Sequence, residues 1–160
     1  MSERFTTQDT MVLERRYAAA TQRVFAAWAD ESAKRGWFQG GGADGSEYTL
    51  DFRVGGHEVS RATAPDGDVY TYEAEYRDIV PDERIVYVNH MLRGDTRISV
   101  SLTCVEFLPD GPGTRLVLTE YGVYLDGEDK PEYRTQGISH QLDALGASLG
   151  ASGDGSGQPR

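Results

Sequence analysis

The chain has 160 residues, with 16 Lys and Arg against 26 Asp and Glu and a formal net charge of −10. That length fits one domain whose core needs no disulfide or metal, and a single cysteine, Cys104, excludes an internal disulfide. The acidic balance repels a phosphate backbone and an anionic membrane surface, which sets aside nucleic acid and membrane as main partners. Residues 1–30 hold no continuous apolar run of signal-peptide or membrane-spanning kind, so a cytoplasmic protein is expected.

Residues 1–10 are polar and read as a flexible N-terminus. Met11 to Ala19 reads as a first strand, with Met11, Leu13 and Tyr17 on its apolar face. Thr21 is placed to cap the following helix, in which Val24, Ala27 and Trp28 form one apolar stripe beside Phe25. Glu31 to Trp37 forms a second short helix, and the Gly-rich Gln39 to Ser46 a loop. Gly40-Gly41-Gly42 lacks the Lys-Ser/Thr of a phosphate loop.

A sheet pattern follows. Tyr48, Leu50 and Phe52 alternate with polar residues up to a tight turn at Gly55-Gly56. Val59 belongs to the next strand, and Asp66-Gly67 marks a hairpin. Tyr70, Tyr72, Ala74 and Tyr76 alternate with Thr71, Glu73, Glu75 and Arg77, one face aromatic and the other charged. Ile85, Tyr87, Asn89 and Met91 share the next inward face, and Arg93-Gly94-Asp95 reads as a hairpin turn rather than an adhesion motif. Two further strands cover Arg97 to Phe107 and Thr114 to Tyr121; Cys104, in an apolar pattern, reads as a buried, inert thiol. A final helix near residues 129–149 carries Ile138, Leu142, Leu145 and Leu149 on one face. Residues 151–160 offer nothing to bury and read as a disordered tail.

A long antiparallel sheet and one terminal helix need each other, because neither can bury its apolar face alone. The expected fold is α+β: a curved antiparallel sheet of six to seven strands wrapped on a long C-terminal helix, with two short helices after the first strand. A cavity between sheet and helix follows from that arrangement. Tyr70, Tyr72 and Tyr76 are its first candidate lining, joined by Tyr48, Tyr87 and Tyr121; tyrosines there supply apolar area and an orienting hydroxyl. Ordinary core packing is the competing reading of each.

Glu120 falls in line with Leu116 and Leu118. Facing an apolar cavity it would have a raised pKa and act as an acid. Arg53 either orients an anionic ligand group or pairs with a surface carboxylate. His57, His90 and His140 lack metal-ligand spacing, and His57 and His140 are the better candidates for a general acid or base. No recognisable catalytic motif is present, and no cofactor or metal is expected.

Several segments together resemble the START-like, helix-grip (SRPBCC) superfamily, which includes polyketide cyclases. The likeness is strongest to single-domain bacterial relatives of the activator of heat-shock protein 90 ATPase. The segments are Val24-Phe25-Ala26-Ala27-Trp28, Arg35-Gly36-Trp37-Phe38 and Phe52-Arg53-Val54-Gly55-Gly56, then Ile79 to Tyr87, Gly113-Thr114-Arg115-Leu116 and Leu142-Asp143-Ala144-Leu145. The resemblance implies one START-like ligand-binding domain over residues 11–150, with Trp37 and Phe38 on a pocket wall. The wider family often has Gly-Trp where this chain has Gly137-Ile138, which removes one aromatic wall. The mouth is then expected beside the first half of the helix, Glu132 to Gly137, with Tyr133 and Gly137 bordering it. The expected partner is a small hydrophobic molecule. A cofactor-independent cyclase or hydrolase, chaperone ATPase co-regulation by protein contact, and homodimerisation remain alternatives.

Overall fold

The computed structural model describes residues 3–39 and 46–151. The Gly40-Gly41-Gly42 segment and the tail after Ala151 lie outside the described residues. In chain order the elements are β1 (Thr6–Tyr17), α1 (Thr21–Ala29), α2 (Glu31–Phe38), β2 (Glu47–Leu50), β3 (His57–Thr63), β4 (Val69–Val80), β5 (Arg84–Arg93), β6 (Thr96–Asp110), β7 (Gly113–Leu125) and α3 (Pro131–Ala151).

The seven strands form one antiparallel sheet in the order β1-β7-β6-β5-β4-β3-β2. The sheet curves around α3, and this α+β helix-grip arrangement is the one the sequence pattern requires. Ile138, Leu142, Leu145 and Leu149 are all buried against the sheet and against α1 and α2, in one cluster with Met11, Trp28, Tyr76 and Phe107. Phe25 meets Phe52 and Phe107 edge-on, with ring centroids 5.7 and 5.3 Å apart, an arrangement that aromatic quadrupoles favour.

Three local expectations are corrected. β1 begins at Thr6, not Met11: Thr6 to Thr10 pair with Leu125 to Tyr121 of β7. These five residues are exposed on a sheet edge, so no apolar alternation marks them in the sequence. Thr21 does not cap α1. Ala20 occupies the cap without a side-chain hydrogen bond, and its carbonyl accepts from the amides of Arg23 and Val24. Thr21 is already inside the first turn. Cys104 is half-buried rather than core: inward positions of β6 alternate through Thr103, Val105 and Phe107, which turns Cys104 to the outer face, where partial desolvation pushes its thiol up.

The Gly55-Gly56 turn needs both glycines, for different reasons. Gly55 has φ +85°, which side-chain-bearing residues rarely adopt. At Gly56 a Cβ would sit 2.1 Å from the Asp51 carbonyl oxygen. Tight approach here lets the Gly55 amide donate to the Tyr76 carbonyl at 2.8 Å and the Tyr76 amide to Gly56 at 3.0 Å. The turn is thereby stitched to β4 next to its bulge at Arg77.

Candidate functional site

The inner face of the sheet changes character along its strands. On β6 it runs from Phe107 and Val105 to Thr103, Ser101 and Ser99, and on β7 from Leu116 and Leu118 to Glu120. The apolar end packs beneath the Leu142–Leu149 half of α3. The polar end lies beneath its first half, where Arg134 meets it.

Glu120 does face inward, at 1% exposure, but it is not a lone carboxyl in an apolar cavity. Arg134 donates to it twice, Nε to Oε2 at 2.8 Å and Nη2 to Oε1 at 3.0 Å. The Thr103 hydroxyl donates to Oε1 at 2.6 Å. Asn89 closes the ring: its Nδ2 donates to Thr103 Oγ1 at 2.9 Å, and its Oδ1 accepts from Arg134 Nη2 at 3.1 Å. Side chains from β5, β6, β7 and α3 thus satisfy one another. The nearby Glu120 carboxylate raises the Arg134 pKa despite the opposing effect of burial. This ion pair replaces the solitary acid the sequence suggests.

A second polar cluster lies deeper. Lys34 on α2 and Glu58 on β3 are completely buried and meet at 2.8 Å. The Tyr76 hydroxyl donates to Glu58 Oε1 at 3.1 Å, and the Tyr48 hydroxyl donates to Oε2 in a short bond. Lys34 Nζ also sits 4.9 Å from the Trp28 ring and 4.7 Å from that of Phe38, in range of cation–π attraction. Burial pushes the Lys34 ammonium below its ordinary value against the pull of Glu58. Tyr48 and Tyr76 are thus ligands of an ion pair rather than free cavity walls, and burial pushes both hydroxyls well up.

An open cavity lies beside the Arg134 cluster. It holds about 130 Å³, with apolar walls from Phe38, Tyr70, Tyr72 and Met91. Arg134, Gln141 and Ser60 supply its polar edge. A void of about 10 Å³ lies further in, bordered by Trp28, Trp37 and Tyr87. Phe38, Tyr72, Arg134 and Gln141 border both spaces and form the partition. One hydrogen bond and one cation–π contact hold it: Gln141 Nε2 donates to the Phe38 carbonyl at 2.9 Å, and the Arg134 guanidinium lies 5.5 Å from the Tyr72 ring centre.

Of the sequence candidates, Phe38, Tyr70 and Tyr72 are brought together at the open cavity, and Trp37 and Tyr87 at the inner void. Tyr133 is 60% exposed and packs beside Lys130 instead. Gly137 lies on the exposed face of α3. Tyr121 is exposed on the outer face of the sheet, one residue past inward Glu120. His57 and His90 are also outside, beside Glu75 at 3.7 Å and Glu73 at 2.6 Å. His140 is exposed, so the structure does not bring His57 and His140 into an inner site. Arg53 pairs with Asp51 at 2.9 Å.

Lys34, Glu58, Thr103 and Arg134 were not singled out by sequence reasoning. A faint signal exists for the first: Lys34 stands three residues before Trp37, where helical spacing calls for an apolar residue.

Among the described residues no cluster of His, Cys, Asp and Glu could hold a metal, and no helix is long and apolar enough to cross a membrane.

Residues 18–150 match the model of the family described as Activator of Hsp90 ATPase homolog 1-like protein. No curated protein sequence matches the chain. Solved structures do. One from Rhizobium leguminosarum is 43% identical, with a TM-score of 0.89 over 92% of this chain and 98% of that one. A protein from Rhizobium loti is also 43% identical, with a TM-score of 0.85 over 91% and 99%. A third, from Chromobacterium violaceum, is 26% identical, with a TM-score of 0.70 over 85% and 93%. The matched range runs from the start of α1 to the end of α3 and so takes in β2 to β7, the gripped helix and the cavity, and the chain belongs to the Activator of Hsp90 ATPase homolog 1-like family.

Proposed function

We propose that the protein binds a small hydrophobic or aromatic molecule in the cavity between the sheet and the C-terminal helix. The observation that carries this reading is the cavity walled by Phe38, Tyr70, Tyr72 and Met91 with Arg134 and Gln141 at its edge. Apolar walls with a few convergent polar groups are the usual composition of a small-molecule site. Cyclase-like or hydrolase chemistry gains less support: an inner carboxylate beside a histidine would favour it, but Glu120 is engaged by Arg134 and His57 and His90 lie on the outer face.

Native mass spectrometry of protein purified from its source tests the reading. A co-purifying small molecule is expected, and Tyr72→Ala should weaken its retention more than it lowers stability. Equal loss of both, or a protein that stays empty against a panel of lipids and aromatics, overturns it.

A further inference from the structure

Resting on the small-molecule reading above, we infer that the cavity selects an uncharged, single-ring aromatic compound carrying one hydrogen-bond acceptor, seated with that acceptor on Nη1 of Arg134.

Size sets the first limit. A dry apolar cavity of about 150 Å³ holds a benzene molecule, so a space of about 130 Å³ seats one ring and a short substituent within its walls. The partition of Phe38, Tyr72, Arg134 and Gln141 blocks a second ring from the inner void.

Charge sets the second. Two of the three rings on the walls, those that would grip a cationic ligand beside Arg134, are already engaged by the protein's own cations: Arg134 lies 5.5 Å from the Tyr72 ring centre and Lys34 Nζ 4.7 Å from that of Phe38. A third cation would meet both. An anion fares no better. Arg134 is the cation that borders the cavity, and its charge is already matched by buried Glu120. A ligand carboxylate would place two anions on one guanidinium in a desolvated space, where an unmatched charge is costly. The net charge of −10 also repels anions on approach.

Hydrogen bonding sets the third. A guanidinium has five N–H donors in a rigid fork. Nε and Nη2 make three hydrogen bonds, to Glu120 and Asn89. Nη1 has no partner among the described residues, and the planarity of the fork turns it away from Glu120. A ligand that fills the cavity covers this donor, and a donor covered without an acceptor carries a desolvation cost; a carbonyl or ether oxygen on the ligand avoids that cost without adding charge.

The test is calorimetric titration of the full chain at neutral pH with acetophenone, ethylbenzene, benzoate and benzylammonium, which share one ring and differ in charge and acceptor. Acetophenone should bind about tenfold more tightly than each of the others. Glu120→Gln leaves Arg134 uncompensated, so benzoate should overtake acetophenone in that variant. The paired change Arg134→Met with Glu120→Gln removes both charges, and acetophenone and ethylbenzene should then bind alike. Where a variant fails to fold by circular dichroism, the ranking in the natural protein decides. Ethylbenzene equal to acetophenone, benzoate or benzylammonium tightest in the natural protein, or an unchanged ranking in folded Glu120→Gln overturns the inference and leaves the small-molecule reading standing. Failure of all four probes to bind at millimolar concentration counts against the small-molecule reading itself.

Discussion

Lys34 and Glu58 meet at 2.8 Å with neither side chain exposed to solvent, joined across a separation of 24 residues. The pair ties α2 to β3, the same junction that sets Phe38 against the cavity. An ion pair so enclosed is held by its surroundings: two tyrosine hydroxyls satisfy the carboxylate, and aromatic faces surround the ammonium.

Removing one partner leaves a buried charge without compensation. Lys34→Met and Glu58→Gln are each expected to cost about 3–5 kcal/mol. The double variant should cost much less than the sum, because no charge is then stranded. Urea denaturation of the four proteins measures the cycle; additive losses would show that the two residues do not act as a pair.

Alkaline stability follows from the tyrosines. Tyr17, Tyr48, Tyr72, Tyr76 and Tyr87 all have hydroxyls pushed well above their ordinary value, chiefly by burial. A raised folded value means stability that is intact below the unfolded value of about 10 and lost as pH rises beyond it. Each such tyrosine should remove about 1.4 kcal/mol per pH unit above about pH 10. Lys34 works in the opposite direction, since its value is lowered on folding, but it is one group against these five and Tyr124, which burial also raises. Tyrosinate absorbance and unfolding should therefore rise together; ionisation of all nine tyrosines with the fold intact would refute this.

The two tryptophans offer a matched comparison. Their rings lie 4.8 Å apart, yet Trp28 Nε1 is buried without a partner whereas Trp37 Nε1 donates to the Ala27 carbonyl at 2.9 Å. That carbonyl lies in the last turn of α1, where intrahelical partners run out. Trp37→Phe should therefore cost about 1–3 kcal/mol more than Trp28→Phe. Thermal denaturation of the two variants ranks them, and the reverse order would contradict the assignment.

At the Gly55-Gly56 turn the two glycines should fail differently. Gly55→Ala has open space around it and should cost only the left-handed backbone penalty, about 1–2 kcal/mol. Gly56→Ala drives a methyl into the Asp51 carbonyl and should cost about 3 kcal/mol or more. Equal losses in denaturant would show that the turn relaxes.

Much of the frame was legible because period-two alternation and a helical stripe report burial directly. Tyr72 and Tyr76 face inward as their spacing demands, and Ile138 to Leu149 face the sheet. The site was less legible because its defining groups violate the rule that charge stays outside. Glu58 looks like a solvated strand residue until Lys34 is known to stand opposite it, and Glu120 looks like a lone acid until Arg134 arrives from another element. Pairings between distant segments leave no periodic trace. Tyr133 fails for a related reason: Arg134 takes the inward position on the first turns of α3 and leaves its neighbour outside.

The bidentate grip of Arg134 also governs how the helix can move. A leucine stripe tolerates sliding and small rotations, but a planar fork on a carboxylate does not. The Tyr17 hydroxyl adds a second fixed point by donating to the Leu142 carbonyl at 2.8 Å, eight residues and about 12 Å along the axis. A rod held at two such points neither rolls nor lifts as a unit. Gln141 of the same helix holds the Phe38 carbonyl at the rim, so helix and rim are coupled and this protein is a vessel whose lid is pinned in place.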